Sequence, residues 1–143
     1  MAMMPFSSGI NDVDRQTLRP SGVLALTATY YPTEMLATGL IKTLVIQTKV
    51  ENVGGGLTDL LVRVETALDA AATDWCVVQT HAIAAGVVTP SPFTYTVAAP
   101  AAQSYLTYVS GATLGLYTRV QVQATFGGAQ PTVSVYALRK QVA

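Results

Sequence analysis

Few residues in this chain are of types that do chemistry, and none of them falls into a catalytic spacing. His81 is the only histidine and Cys76 the only cysteine. A histidine working as a general base needs a nucleophile or carboxylate held against it, and along the chain only Thr80 and Asp74 stand near. No serine sits in a strand-to-helix nucleophile elbow. His81 therefore reads as a surface or hydrogen-bonded residue at a strand end. Cys76 reads as a small buried apolar residue, the usual place of a free cysteine. Asp12 and Asp14 lack the turn glycine and distal acid of a calcium loop, so no metal is expected there. Gly54, Gly55 and Gly56 would need a following helix to cradle a phosphate, and a strand pattern follows instead, so the triplet reads as a turn. No enzyme activity, cofactor or metal is expected.

Composition narrows the partners. Charged residues make up 11% of the 143, against roughly 25% in average soluble domains, while 50% are apolar. A surface so poor in charge suits a protein whose exterior lies against neighbouring subunits. The eight basic residues are scattered and balanced by eight acidic ones, leaving no stripe to neutralise a phosphate backbone, so nucleic acid is not an expected partner. One cysteine permits no intrachain disulfide, which fits synthesis in a reducing cytosol. The first ten residues lack a cationic segment followed by an apolar run, and no stretch approaches ~20 uninterrupted apolar residues. Neither a signal peptide nor a membrane span is expected.

The elements that would position any site read as strands. Val120, Val122, Ala124 and Phe126 alternate with Arg119, Gln121, Gln123 and Thr125, the period of a half-buried strand. After Gly127, Gly128 and Pro131 a second alternation through Val133, Val135 and Ala137 suggests a terminal β-hairpin. Similar alternation gives strands over 22–31, 40–51, 57–66, 75–82, 93–97 and 104–109, with the 40–51 and 57–66 strands as neighbours across the triple glycine. The two in the terminal hairpin are 114–126 and 132–139. Residues 67–73 are too few for a helix of their own. About eight short strands without a helical period predict an all-β, antiparallel, jelly-roll-like β-sandwich over 21–143. Residues 1–20, poor in large apolar groups, read as an extended N-terminal arm.

Aromatic residues have two readings. Trp75 is expected to fill the interior, and Tyr95, Tyr105, Tyr108 and Tyr117 to lie at the core rim. On an exposed sheet face Trp75, Tyr95 or Tyr108 would instead suit a sugar platform or an interface.

The run Leu61, Val62, Arg63, Val64, Glu65, Thr66, Ala67, Leu68, Asp69, then Asp74 and Trp75, and the ending Tyr117, Thr118, Arg119, Val120, Gln121, Val122 with Val133, Ser134, Val135, Tyr136, Ala137, Leu138, resembles small β-sandwich proteins of tailed-phage virions. Within these it is most similar to the capsid cement or decoration proteins, over roughly residue 57 to the end. The resemblance implies a non-enzymatic virion component, made in the host cytoplasm, that binds the major capsid protein and its own copies as a trimer or other symmetric oligomer. Partner contacts are then expected from Asp12, Asp14, Arg15 and Arg19 of the arm, which would fix orientation, and from Tyr108. The alternative is a carbohydrate-binding module of a phage spike, tail or fibre-adaptor protein.

Overall fold

The computed structural model describes residues 15–84, 87–91 and 102–141. Ten strand segments run through them: β1 (Gln16–Val23), β2 (Thr29–Pro32), β3 (Leu36–Ala37), β4 (Thr43–Asn52), β5 (Asp59–Ala67), β6 (Trp75–Ala84), β7 (Val87–Ser91), β8 (Ser104–Ser110), β9 (Tyr117–Thr125) and β10 (Thr132–Lys140). One sheet has the order β1-β10-β4-β8; the other has β2-β9-β5-β6-β7, with β3 also paired to β9. Every pairing is antiparallel. With β3 and β7 set aside, the pairs nest: β1 with β10, β2 with β9, β4 with β8 and β5 with β6. This is one long hairpin with its tip at β5 and β6, rolled up so that β10 also lies on β4 and β9 on β5. The chain is therefore an all-β sandwich with jelly-roll topology.

Alternation puts the dry faces of the two sheets together. Leu44, Ile46, Val50, Val133 and Val135 come from one sheet, and Leu60, Val62, Val64, Val120, Val122 and Ala124 from the other; all are essentially inaccessible to solvent. Arg139 shares the inward parity of Val135 and Ala137 and is also buried, with Nη1 donating to the Ala37 carbonyl at 3.3 Å. At the β3 end the interior is closed by threonines: the hydroxyls of Thr38 and Thr118 lie 2.7 Å apart, and Thr66 donates to the Tyr117 carbonyl at 2.8 Å.

Several expected neighbours turn out to face each other across the core. The runs on either side of the triple glycine are β4 and β5, which belong to opposite sheets, and the expected terminal hairpin is β9 and β10, which also part between the sheets. Period 2 marks which residues point inward and carries no information on which strand lies alongside. The two glycine connections meet at one end of the sandwich. Gly55 N–H donates to the Ala129 carbonyl at 2.8 Å, and Gly128 N–H returns a bond to the Gly55 carbonyl at 2.7 Å. A β-carbon on Gly54 would stand 2.2 Å from the Ala129 oxygen, and the backbone there has φ +65°. Only glycine tolerates both conditions.

The N-terminal half departs from expectation too. The first strand begins at Gln16, not Gly22, so residues 16–20 of the expected arm are part of β1, and Leu18 is buried. Pro20 is accommodated because β1 is an edge strand with register shifts on both sides of Arg19. The expected 22–31 strand is split after Val23, and the chain turns through Ala28, at φ +54°, before β2 begins. The 93–97 strand, with Tyr95, and residues 1–14, with Asp12 and Asp14, lie outside the described residues. Strand β7 was not foreseen; it pairs only with β6 on the sheet order, which leaves Pro90 on an edge.

Gly54→Ala is expected to destabilise the fold by about 1–3 kcal/mol or more through forced left-handed backbone and a backbone clash. Gly127→Ala, whose β-carbon would meet nothing within 4 Å, should change stability far less. Urea unfolding of both variants measures the contrast.

Candidate functional site

A two-sheet sandwich presents two outer faces pointing in opposite directions, and here they differ in chemistry. On the four-stranded sheet the outward positions of β10, β4 and β8 lie in rows set by register. Val45 is opposite Leu138 on one side and Tyr108 on the other, and Gln47 is opposite Tyr136 and Leu106. Tyr108 is 64% and Leu106 49% exposed, while Val45, Tyr136 and Leu138 are half-buried. Arg15 reaches onto this face from the start of β1. Its guanidinium stacks on the Tyr136 ring at 3.7 Å and donates to Gln47 Oε1. Gln47 Nε2 in turn donates to Ser104 Oγ at 3.1 Å. Arg15, Val45, Leu106, Tyr136 and Leu138 border a shallow hollow of about 240 Å³, smaller than the ~300–1,000 Å³ of ordinary ligand pockets. Its shape suits surface-to-surface contact.

Two of the expected partner residues, Arg15 and Tyr108, thus come together on one face although 93 positions separate them (108 − 15). Arg19 does not join them. It bridges the irregular stretch of β1, with Nη2 donating to the Val23 carbonyl at 2.9 Å and Nε to the Val133 carbonyl at 3.3 Å. Burial lowers its pKa, partly offset by Tyr31, whose ring centre lies 6.0 Å away. Arg19 shapes the strand, with Nε and Nη2 committed to the chain's own carbonyls.

The outer face of the six-stranded sheet carries a chain of planar groups that sequence reasoning did not assemble. Glu65, from β5, is 5% exposed although it points away from the core. Its Oε1 accepts from Arg119 Nε at 2.8 Å and from Gln121 Nε2 at 2.9 Å, both on β9. Arg63 Nη1 lies 3.8 Å from Oε2. Arg119 also sits over the Trp75 ring at 4.3 Å, and Arg63 over the Tyr30 ring at 3.8 Å. The run from Tyr30 through Arg63, Glu65 and Arg119 to Trp75 covers the carboxylate by stacking. Trp75 is consequently a half-buried residue of the outer face and not the interior anchor expected of it. The signal for this cluster was Arg119 and Gln121 at spacing two in β9 and Arg63 and Glu65 at spacing two in β5, but their mutual register was not legible.

The remaining polar candidates are local. Cys76 is exposed, contrary to its expected burial, at a position of β6 paired with Thr66 near the end of β5. His81 lies in β6 opposite Val62 and Pro90 by backbone register. Asp69 caps the β5–β6 turn, accepting from Thr73 N–H at 2.9 Å, Thr73 Oγ1 at 2.7 Å and Asp74 N–H at 3.2 Å. Among the described residues no three His, Cys, Asp or Glu side chains gather to hold a metal ion. Exposed Leu40 and Leu116 border a second shallow apolar hollow at the β3 end. No protein-family model matches the chain, and no curated protein matches it significantly in sequence.

Two outcomes follow from these side chains. Glu65→Ala leaves Arg119 and Gln121 without their acceptor in a half-covered place, so a loss of about 1–3 kcal/mol in urea unfolding is expected, discounted for the exposure of both arginines. Asp69, held below the ordinary aspartate range chiefly by the Thr73 backbone bond, then the Thr73 side-chain bond and the Asp74 backbone bond, is favoured as the anion in the folded state. Its contribution is present above the unfolded aspartate pKa of ~3.9 and fades as pH falls through the lower folded value. Amide protection of Thr73 and Asp74 should accordingly persist to about pH 4 and decline below it, and Asp69→Asn should remove that dependence in hydrogen exchange.

Proposed function

We propose that this chain is a structural virion protein of the capsid cement or decoration type, which binds the major capsid protein and its own copies and stabilises the phage head. The observation that carries the reading is the apolar outer face of β10, β4 and β8, with Leu106 and Tyr108 about half exposed or more and Arg15 lying across it. A free-standing protein gains nothing by presenting such a face, whereas an assembling one removes it from water. Low overall charge and the resemblance of residues 57 onward to virion sandwiches support the same reading. Under it the protein is not an enzyme and works by mass action: a partner that binds only the assembled lattice lowers that state's free energy.

Size argues that this face acts together with the arm. Three adjacent strands at ~4.8 Å spacing and seven residues at ~3.4 Å each span roughly 350 Å², less than half of the ~800 Å² per partner that stable interfaces bury. Under this reading the arm that precedes β1 would supply the remainder, with Asp12 and Asp14 orienting the contact.

Sedimentation over a range of concentrations is expected to show a closed oligomer such as a trimer, and co-sedimentation to show binding to expanded capsids. Leu106→Asp combined with Tyr108→Asp removes roughly half of the ~1.5–3 kcal/mol that full burial of each side chain supplies, because these residues are 49% and 64% exposed, enough to weaken association by about tenfold or more. A monomer that also ignores capsids would sink the proposal, as would an oligomer indifferent to the double substitution.

A further inference from the structure

We propose that the outer face of the six-stranded sheet binds an acidic oligosaccharide, its carboxylate seated against the solvent-facing nitrogens of Arg63 and Arg119, which hold Glu65 between them. Charge on this face is unbalanced. Two guanidiniums converge on one carboxylate, Arg119 by a hydrogen bond at 2.8 Å and Arg63 by a 3.8 Å ion contact, so the cluster keeps one unmatched positive charge. Its donors are unbalanced too. Of five N–H groups on each arginine, Arg119 gives Nε to Glu65, and Arg63 makes no hydrogen bond among the described residues. The terminal fork of Arg119 likewise has no acceptor there. These side chains are only 29% and 25% exposed, so water reaches them imperfectly. Partly desolvated forks held in place are the arrangement that planar, bidentate carboxylate recognition requires.

The surroundings favour a sugar over a single acidic side chain. Tyr30 and Trp75 fix the planes of the two guanidiniums, so the forks need no ordering when a ligand arrives. Gln121 spends Nε2 on Glu65, and its amide oxygen, without a hydrogen bond among the described residues, suits a ring hydroxyl. By register Tyr30 stands level with Leu61, and Trp75 is opposite Ala67, six positions along β5 and three strands across. That diagonal spans roughly 25 Å between backbone anchors, and the contacts through Arg63, Glu65 and Arg119 bring the two rings closer than that, within the reach of a short oligosaccharide with an aromatic at either end. This surface faces away from the one assigned to assembly, so either inference can fail without the other.

Trp75 is the only tryptophan, which makes intrinsic emission a reporter of this face alone. Galacturonic acid tetramer and sialyllactose would be titrated against the methyl-esterified tetramer and lactose, with calorimetry as a second readout. A saturable emission change with at least one acidic sugar and none with its neutral counterpart is expected. Arg63→Lys and Arg119→Lys, which keep the charge and lose the fork, should each weaken binding by about tenfold or more while thermal unfolding stays cooperative. Silence toward both acidic sugars at millimolar concentration overturns the inference, as does equal response to the neutral ones. An equal response to an acidic peptide or to sulfate assigns the forks to a protein partner or to anions in general and overturns the sugar assignment.

Discussion

The structure depends on one constraint: β4, β8, β9 and β10 each have a single dry face, and two sheets must put those faces together without leaving a hairpin open to water. A chain of this length satisfies it by rolling a long hairpin on itself, so that β10 lies on β4 and β9 on β5. Successive strands then alternate between sheets at the points where the chain crosses the core. The crossings after β4 and after β9 meet at one end, where Gly55 and Gly128 exchange backbone hydrogen bonds with the opposite connection. Side chains are excluded there by the approach of the two backbones. The glycines are thus part of the closure of the sandwich, as much as the valines are part of its filling.

Once the inward faces are consumed, the outward ones are free to differ. The face of β10, β4 and β8 is apolar with an arginine laid across it, and the face of β2, β9, β5 and β6 is a strip of stacked rings and guanidiniums around a covered carboxylate. The first leaves Leu106 and Tyr108 in contact with water. The second is satisfied at its centre, where Glu65 accepts from Arg119 Nε and Gln121 Nε2, while the terminal nitrogens of Arg119 make no hydrogen bond among the described residues. One scaffold therefore carries two outer faces of different chemistry on opposite sides.

What was legible beforehand follows from period 2. The core positions of β4, β5, β9 and β10 were readable because one misplaced residue would turn an entire apolar set into water. The glycine and proline clusters marked where strands end. Partners of strands were not readable, since an alternation of valine and threonine fits beside any other. The same gap hid the Glu65 cluster, whose members come from β2, β5, β6 and β9, and misplaced Trp75, which stacks under Arg119 instead of filling the interior. Arg19 looked like a free arm charge because nothing local announces that its donors will be taken by the Val23 and Val133 carbonyls.

By itself, then, the order of residues determined an all-β chain, its inward positions, its low charge and the lack of any catalytic spacing, because each is a local or summed property. Tertiary structure decided the rolled topology, the start of the first strand at Gln16, and the meeting of Arg15 with the face that bears Tyr108. It also decided that Arg63 and Arg119 share one carboxylate. These are long-range pairings. Register and sheet membership emerge only when all the dry faces are buried at once, and no short window of sequence contains that condition.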